Sequence, residues 1–434
     1  MTSRRQHLLC ACVMLVTLTI LPAVSGAAVV RLLNSRSGAL QARLDLIKGA
    51  QCSIDIATYS IYSDSSCNQM MGELIHARRR GVRVRILVDG FKHDLSNHMF
   101  SRLVNAGVSI REFHPLRPCP THFPGYRNHI KLMTVDGHSL ITGGRNIGDE
   151  YFAHSIGDDF VDRDILVTDS QAAAAAGCCF ERLWSVELSK DIARPTALNQ
   201  GRNFLGTFST PLRRRTDVHR CQNSDHCHYR ACDTLSDVPS RSICFVHSIP
   251  TVPESCHDIA ASLQSLIRAA KHRIVIVTPY VNLTREFRDC LAAKVRCGVS
   301  VMIVTNSLRT TNQVIAQAKY VNQKRAIRRL GIDLREYTGT GTLHAKSWIV
   351  DGSVFIGSYN LNSRSQHFDA ECGVIIHDSQ FAVTTLRCVL RHEVASSRRC
   401  RHSRLTVEDL TQSGLRPLQV LLLQPALPLI SQHL

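Results

Sequence analysis

The stretch "TLHAKSWIVDGSVFIGSYN", residues 342–360, places polar side chains at fixed intervals among apolar ones. They form the pattern H-x-K-x-x-x-x-D with a Gly-Ser-x-Asn turn directly after it: His344, Lys346, Asp351, Gly357, Ser358 and Asn360. A single copy of this pattern says little, because an edge strand with one histidine and one lysine facing water would produce it as well.

A second stretch, "NHIKLMTVDGHSLITGGRN" at residues 128–146, repeats the pattern. Its members again have the H-x-K-x-x-x-x-D spacing and a glycine-containing turn that ends in asparagine: His129, Lys131, Asp136, Gly143, Gly144 and Asn146. Two copies with equal spacing and similar turns indicate an internal duplication.

The duplication extends beyond the motifs. The predicted strand "GVRVRILVD" at 81–89 aligns with "GVSVMIVTN" at 298–306, an offset of 217 residues against 215 between the two histidines. Strand-like and helix-like segments alternate in both halves, which predicts an α/β fold. We expect two pseudo-twofold-related α/β domains, each with a mixed, largely parallel sheet, that form one shared active site.

Composition shifts divide the chain into five predicted segments. They are a signal peptide or N-terminal anchor at 1–26, a first α/β domain at 27–200, a connector rich in Cys, His and Arg at 201–256, a second α/β domain at 257–400, and an apolar C-terminal tail at 401–434.

The overall charge favours an anionic partner. The 434 residues carry a formal net charge of +17, from 52 Lys and Arg against 35 Asp and Glu. A lipid surface, a nucleic acid or a phosphate substrate would each suit this balance. With 44% hydrophobic residues the chain can bury a sizeable core, which excludes a disordered protein.

The two ends of the chain bear on its location. Arg4 and Arg5 precede an uncharged apolar run at 8–24, which is typical of a secretory signal and is also just long enough to stay as a membrane anchor. We therefore expect an exported protein that is periplasmic, membrane-associated or secreted. Pro425 and Pro428 interrupt the apolar tail, which would dip into a lipid interface or pack against the body rather than span a bilayer.

Cysteine is abundant. Of the 17 cysteines, Cys10 and Cys12 lie in the signal and 15 remain, so at least one is unpaired if the others form intrachain disulfides. Three in apolar surroundings are predicted to be buried free thiols: Cys52, Cys178 and Cys290.

The connector carries a cluster of possible metal ligands: Cys221, His226, Cys227, His228 and Cys232. Its spacings fit a zinc knuckle only in part, and no second knuckle follows. Disulfides or an unordered surface loop are therefore favoured over a metal site. The connector's arginines would form a solvated loop or contact lipid headgroups.

The repeated motif suits phosphodiester chemistry. Side chains two apart on a strand share a face, so each half presents an imidazole beside an ammonium group. Lys131, Lys346, Asn146 and Asn360 would bind the phosphate oxygens, where charge develops in the transition state. One histidine can attack phosphorus while the other protonates the departing alcohol. The product is a covalent phosphohistidine, and the scheme needs no metal and no cofactor.

Both motifs resemble those of the phospholipase D superfamily, in which two such copies form one active site. The sequence around the motifs is similar to that of bacterial cardiolipin synthases, particularly the cardiolipin synthase C type, over roughly residues 30–395. Four stretches carry this resemblance: "GGRNIGDEYF" from 143, "IVTNSL" from 303, "TLHAKSWIVDGSVFIGSYNLNSRS" from 342 and "AECGVII" from 370.

The resemblance implies roles for the motif residues. His129 and His344 would be the nucleophile and the acid/base pair, with the nucleophile usually in the first copy. Asp136 and Asp351 would hold the motif loops. An acidic residue downstream of each motif would orient a histidine. These residues are predicted to be Glu371 in the second half and Asp164 in the first, with Asp162, Asp158 and Asp159 as alternatives to Asp164.

The implied function is a cardiolipin synthase-like phosphatidyltransferase. Its substrates would be phosphatidylglycerol and, as a further donor, phosphatidylethanolamine, at a membrane surface. An exported phospholipase D that forms phosphatidic acid, a secreted nuclease and a non-catalytic binding protein are the alternatives. A nucleic acid is the less favoured substrate, because no stretch interleaves basic and aromatic residues for base stacking. With both motifs in one chain, the protein is expected to act as a monomer.

Overall fold

The computed structural model describes residues 27–115, 125–152, 159–192, 235–250, 258–400, 413 and 416–423. The strands are β1 Ala27–Leu33, β2 Ser53–Thr58, β3 Arg83–Asp89, β4 Ser109–Phe113, β5 Arg127–Asn128, β6 Leu132–Val135, β7 Ser139–Gly143, β8 Phe160–Val161, β9 Asp164–Thr168, β10 Ser189–Asp191, β11 Leu235–Pro239, β12 Ile243–Ser248, β13 Arg273–Val277, β14 Ser300–Asn306, β15 Asp333–Tyr337, β16 Thr342–Leu343, β17 Ser347–Val350, β18 Ser353–Gly357, β19 Asp369–His377 and β20 Ser397–Arg399.

The helices lie between these strands. They are α1 Arg36–Gly49, α2 Ser65–Arg79, α3 Asn97–Asn105, α4 Asp149–Phe152, α5 Ser170–Ser185, α6 Ile259–Ala269, α7 Arg285–Arg296, α8 Val314–Arg329, α9 Ser363–His367, α10 Ser379–Val389 and α11 Arg416–Leu423, with a 3-10 turn at Ser240–Ser242 and a π-helical segment at Leu390–Val394.

The two halves share one sheet plan. The first sheet contains the order β4-β3-β2-β6-β7-β9, and the second contains the matching order β15-β14-β13-β17-β18-β19. The pairs β2/β3 and β3/β4 are parallel, as are β13/β14 and β14/β15, while the strands that follow pair antiparallel in both halves. This repetition confirms the predicted α/β fold of two related domains.

The expectation of largely parallel sheets is wrong, because antiparallel pairs predominate. Each motif ends in a tight hairpin, β6 to β7 and β17 to β18, where a parallel pair would need a long crossover. Asp136 and Asp351 adopt positive φ angles of 54° and 48° at these turns. A glycine follows each aspartate, and Asp-Gly is a favoured hairpin turn.

Part of the predicted connector belongs to the sheets. Residues 235–239 form β11 beside β1 at the edge of the first sheet, and residues 243–248 form β12 beside β19 in the second. The chain therefore passes from one half to the other within a few residues. The Cys/His cluster of the connector and the N-terminal segment 1–26 lie outside the described residues.

One apolar core joins the halves. It includes Leu132, Ile165 and Phe180 from the first half with Ile349 and Val374 from the second. Burying apolar surface contributes about 25 cal/mol per Å² removed from water, so the interface is a major source of stability. The sheets are thereby held in one arrangement, with the motif strands facing each other.

Cys52, Cys178 and Cys290 are free thiols. Cys52 and Cys178 are exposed and Cys290 is partly exposed, so the prediction that these three are buried is wrong. Cys178 lies on the outer side of α5, whereas its neighbour Cys179 takes the buried position. Among the helices that the structure describes, none has the length and apolarity required to cross a membrane.

Candidate active site

Each motif histidine lies just before the first strand of its hairpin, with its lysine two residues later. Lys131 Nζ donates to the His129 carbonyl at 2.7 Å, and Lys346 Nζ donates to the His344 carbonyl at 2.5 Å. Both lysines are buried, with exposed fractions of 3% and 0%. Each half therefore presents the expected imidazole beside an ammonium group.

Backbone hydrogen bonds between the halves hold the two motifs together. The His129 amide donates to Ala370 O at 3.0 Å, and β5 pairs with β19. The His344 amide donates to Val161 O at 2.7 Å, and β8 pairs with β16. Each motif is thus anchored to the strand that follows the other motif, which brings both to one place.

The carboxylates that bind the histidines cross between the halves. Glu371 of the second half lies 3.0 Å from Nδ1 of His129 in the first. Asp162 of the first half lies 2.6 Å from Nδ1 of His344 in the second. A carboxylate at Nδ1 orients the ring and leaves Nε2 as the reacting nitrogen, and in the second motif Lys346 Nζ lies 3.2 Å from Nε2 of His344. Glu371 therefore lies beside the histidine of the other half, and not beside that of the motif it follows, for which the sequence assigned it.

The prediction that Asp164 orients a histidine is wrong. Its carboxylate lies 2.8 Å from Nη2 of Arg43 and 3.3 Å from Nη1 of Arg145, in a fully buried ionic cluster. The strand β9 begins only at Asp164, so Asp162 precedes it in irregular backbone and does not share its strand face. The alternation of side chains along a strand therefore could not show which of the two aspartates faces a histidine.

The motif aspartates bind backbone amides. Asp136 accepts from three consecutive N–H groups at the start of β2 at 2.7–2.8 Å, and Asp351 accepts from three at the start of β13 at 2.7–3.1 Å. The donors are Gln51, Cys52 and Ser53 for the first, and Lys271, His272 and Arg273 for the second. This agrees with the expectation that they hold the motif loops.

The two asparagines differ in their partners. Asn146 Nδ2 donates to the Tyr151 hydroxyl at 2.9 Å, and its Oδ1 accepts from the Ser60 amide at 3.3 Å. Asn360 is equally buried, but within the described part of the chain its Oδ1 has no hydrogen-bond partner. Its side-chain oxygen is therefore available to accept a hydrogen bond.

Aromatic rings line the site, and sequence reasoning missed them. The Tyr59 ring lies edge-on to His129 at 5.2 Å, with Lys131 Nζ 5.1 Å from its centroid. Tyr151 and Phe160 lie 5.6 and 5.0 Å from the His344 ring. Tyr59 directly follows β2, and the carboxyl ends of parallel strands are where ligands bind in open α/β sheets. The position of Tyr59 at the end of a predicted parallel strand could therefore have identified it as a residue of the site.

Comparison with known proteins identifies the family. Residues 44–184 and 263–388, more than half of the chain, match the family model described as "Cardiolipin synthase, PLD-like domain". The chain belongs to this phospholipase D-like family.

Two relatives align along most of this phospholipase D-like protein. Cardiolipin synthase C of Escherichia coli K12 is 28% identical over 389 residues, covering 79% of this chain and 80% of the relative. An uncharacterized protein of Helicobacter pylori J99 is 23% identical over 427 residues, covering 88% of this chain and 83% of the relative.

A solved structure confirms the two-domain fold. The phosphatidylserine synthase of Haemophilus influenzae Rd KW20 superposes with a TM-score of 0.69 and 16% sequence identity, covering 93% of both chains. At this identity the likeness is one of fold. The two proteins share the two-sheet arrangement.

The cationic groups of this phospholipase D-like site lower one another's pKa. Burial, then Lys131 and Lys346, places the pKa of His129 well below its ordinary value. Burial and Lys346 lower the pKa of His344 to about 3. Burial and the neighbouring Lys346 lower the pKa of Lys131 to about 7, and burial lowers that of Lys346 to about 8. A bound phosphate would supply the negative charge that this cluster lacks.

The pKa values of the two carboxylates beside the histidines, Glu371 and Asp162, shift in opposite directions. Burial raises the pKa of Glu371 to about 8, although Lys131 opposes the shift. Burial also acts to raise the pKa of Asp162, but His344 and Lys346 outweigh it and hold that pKa well below its ordinary range. The His344 side therefore keeps an ionised carboxylate, and the His129 side has one that takes up a proton more readily.

One group of side chains has metal-ligand spacing. Atoms of His129, Asp369 and Glu371 lie within 4.8 Å of one another. However, Arg364 Nη2 lies 3.0 Å from Asp369, and burial raises the pKa of Asp369 to about 7 and that of Glu371 to about 8, although Lys131 opposes both shifts. These cations already compensate the negative charge, so the site does not suit a divalent ion.

Proposed function

We propose that the protein is a cardiolipin synthase-like phosphatidyltransferase that acts through a covalent phosphohistidine. The observation that carries the proposal is the crossing of the two histidine–carboxylate pairs, His129 with Glu371 and His344 with Asp162. Two imidazoles that are each held at Nδ1 by a carboxylate, two buried lysines and two asparagines form a set suited to a phosphodiester.

The first step transfers a phosphatidyl group to the enzyme. Nε2 of His129 attacks phosphorus, the bond to the headgroup oxygen breaks, and His344, which takes up a proton when the anionic phosphate is bound, gives that proton to the leaving alcohol. His129 is taken as the nucleophile because the superfamily usually uses the first motif. Lys131 and Lys346 neutralise the charge that develops on the non-bridging oxygens.

The second step returns the enzyme to its starting state. An alcohol enters the position of the departed headgroup, and His344 removes its proton as the oxygen attacks phosphorus. The P–N bond breaks and His129 is released. An acceptor hydroxyl of phosphatidylglycerol gives cardiolipin, while water gives phosphatidic acid. The similarity to cardiolipin synthase C supports transfer over hydrolysis.

A membrane surface is part of the proposal. Helix α11 packs Val420 against α8 and leaves three leucines exposed, by 54%, 46% and 69%: Leu418, Leu421 and Leu422. Exposed apolar side chains on a short helix suit insertion into a lipid interface. The apolar segment at 8–24 supports an exported location, periplasmic, membrane-associated or secreted, on its sequence alone.

Lipid products test the proposal. The purified protein is incubated with liposomes of phosphatidylglycerol and phosphatidylethanolamine, with and without EDTA, and the lipids are resolved by mass spectrometry. We expect cardiolipin in both samples, since the site needs no metal. Phosphatidic acid without cardiolipin would indicate a hydrolytic phospholipase D. Unchanged lipids would overturn the proposal and direct attention to nucleic-acid phosphodiesters.

A further inference from the structure

The side chain of Arg163 crosses from the first half to the second beside the candidate active site. It lies between Asp162 and Asp164 in the chain and is 1% exposed. Its Nη1 donates to Ser347 Oγ at 2.8 Å, and its Nη2 donates to Glu393 at 2.7 Å. Both partners belong to the second half.

These contacts connect Asp162 to the strand that carries the second motif and His344. The backbone amide of Arg163 donates to Oδ1 of Asp162 at 2.8 Å, while Oδ2 of Asp162 binds His344. Ser347 directly follows Lys346 on the strand that carries the second motif. One residue therefore fixes the carboxylate through its main chain and the motif strand through its side chain.

The His129 side is built differently. There, the hydroxyls of Ser358 and Ser365 both donate to Glu371, the second at 2.5 Å. The position that matches Ser358 in the first motif is Gly144, where an added Cβ would lie only 2.0 Å from Asp162. A serine at that position would displace the carboxylate of Asp162, which is held instead by the amide of Arg163.

Glu393 in turn holds the side chain of Arg163. It lies in the π-helical segment Leu390–Val394, 1% exposed, and pairs with Arg163 across the interface. Such π-helical segments are rare and occur often at functional sites. A buried pair of this kind contributes little net stability, so its value is expected to be geometric.

We propose that Arg163 and Glu393 form an inter-domain lock that positions Asp162 against His344. Both are positioning residues, since they reach the reacting groups only through Asp162 and the motif strand. The kinetic part of this inference rests on the proposed function, in which His344 is the acid and base. The structural part does not.

The test uses the full-length chain with two conservative variants, Arg163→Lys and Glu393→Gln, and the stronger Arg163→Met. A matched control is Glu336→Gln, which alters a partly buried pair, Lys324 with Glu336 at 2.8 Å, that does not cross the interface. Melting temperatures are measured for all four, so that a general loss of stability is recognised.

The kinetic probe is bis(4-nitrophenyl) phosphate, whose nitrophenolate leaves without a proton. Attack by His129 breaks the P–O bond, and water then attacks phosphorus with its proton passing to His344, which releases nitrophenyl phosphate. We expect the lock variants to keep a burst of one nitrophenolate per enzyme but to lose about 10- to 100-fold in steady-state rate. Arg163→Lys should retain more activity than Arg163→Met, and the control should match the wild type.

A second readout needs no substrate. The 2.6 Å contact of His344 with Asp162 should give a downfield Nδ1 proton in the NMR spectrum, assigned by its loss in Asp162→Asn. We expect Glu393→Gln and Arg163→Met to shift or broaden this signal and the control to leave it unchanged. Lock variants with an unaltered signal would overturn the inference. An inactive wild-type protein would instead count against the proposed function alone.

Discussion

Nδ1 of His344 lies 2.6 Å from Oδ2 of Asp162, a residue 182 positions earlier in the chain and in the other domain. The reciprocal contact joins His129 to Glu371, 242 positions later. Neither histidine is therefore oriented by its own half. The arrangement makes each domain incomplete without the other and explains why the motif occurs twice in one chain.

The two neighbouring aspartates, Asp162 and Asp164, should respond differently to substitution. Asp162→Asn removes the charge at His344 and is expected to lower turnover by about 10- to 100-fold with little change in melting temperature. Asp164→Asn leaves Arg43 and Arg145 poorly compensated in a buried site and should cost about 3–5 kcal/mol of stability. Lipid turnover and thermal unfolding are measured for both. Equal effects of the two on turnover per folded molecule would contradict the assignment of Asp162.

The glycine of the first motif is predicted to be required. Gly144→Ser would place Cβ 2.0 Å from Oδ1 of Asp162, so the carboxylate must move away from His344 and activity should fall at least 10-fold. The reverse change, Ser358→Gly, removes one hydroxyl from Glu371 and should be the milder substitution. Steady-state rates of the two variants test this order. A fully active Gly144→Ser protein would show that the first motif tolerates the second motif's sequence.

Stability should fall in acid because of the motif aspartates. Backbone amides from the start of β2 and β13 outweigh the effect of burial and lower the pKa of Asp136 and Asp351 below the ordinary value. Their contribution is therefore fully present above the unfolded pKa of about 3.9 and is lost as the pH falls through the folded value. Asp136→Asn tolerates the positive φ but lacks the charge, so its melting temperature should drop at pH 6, and the difference from the wild type should be smaller at pH 3. A constant difference at both pH values would contradict this account.

Substrate capture should weaken at alkaline pH. The pKa of Lys131 is lowered to about 7 and that of Lys346 to about 8, so the free enzyme loses its phosphate-binding charge as the pH rises through this range. The value of kcat/KM depends on the protonation state of the free enzyme, so it should decrease as the pH rises through this range and form an alkaline limb of the pH profile. Arginine keeps its charge, so Lys131→Arg should move the limb to higher pH if the variant remains active. An unchanged limb in that variant would assign the titration to another group.

Local patterns predicted the parts of the molecule that depend on local spacing. The strand period placed each lysine beside its histidine, and the motif aspartates were correctly expected to hold the loops. The partner of His344 was missed because the choice between Asp162 and Asp164 depends on where β9 begins and on a contact across the domain interface. The aromatic residues Tyr59 and Tyr151 were missed for the same reason, since they meet the histidines only through tertiary packing.

The connector shows a second limit of local patterns. The stretch that forms β11 and β12 follows a polar, cysteine-rich segment, and its strands are stabilised by pairing with β1 and β19, which are far away in the chain. Strand propensity depends strongly on such pairing partners. The antiparallel majority of the sheets was missed because the Asp-Gly hairpins were read as motif residues and not as turns.

The central claim is that both motifs form one active site, and single-histidine variants test it most directly. Wild type, His129→Ala and His344→Ala are assayed at equal concentrations of folded protein on liposomes of phosphatidylglycerol and phosphatidylethanolamine, with lipid products measured by mass spectrometry. The account predicts that each single variant loses at least 10³-fold in rate, on the order of a lost acid/base or nucleophilic group, while its melting temperature stays near that of the wild type. A single variant that keeps about half of the wild-type rate would show that the two halves act as independent sites.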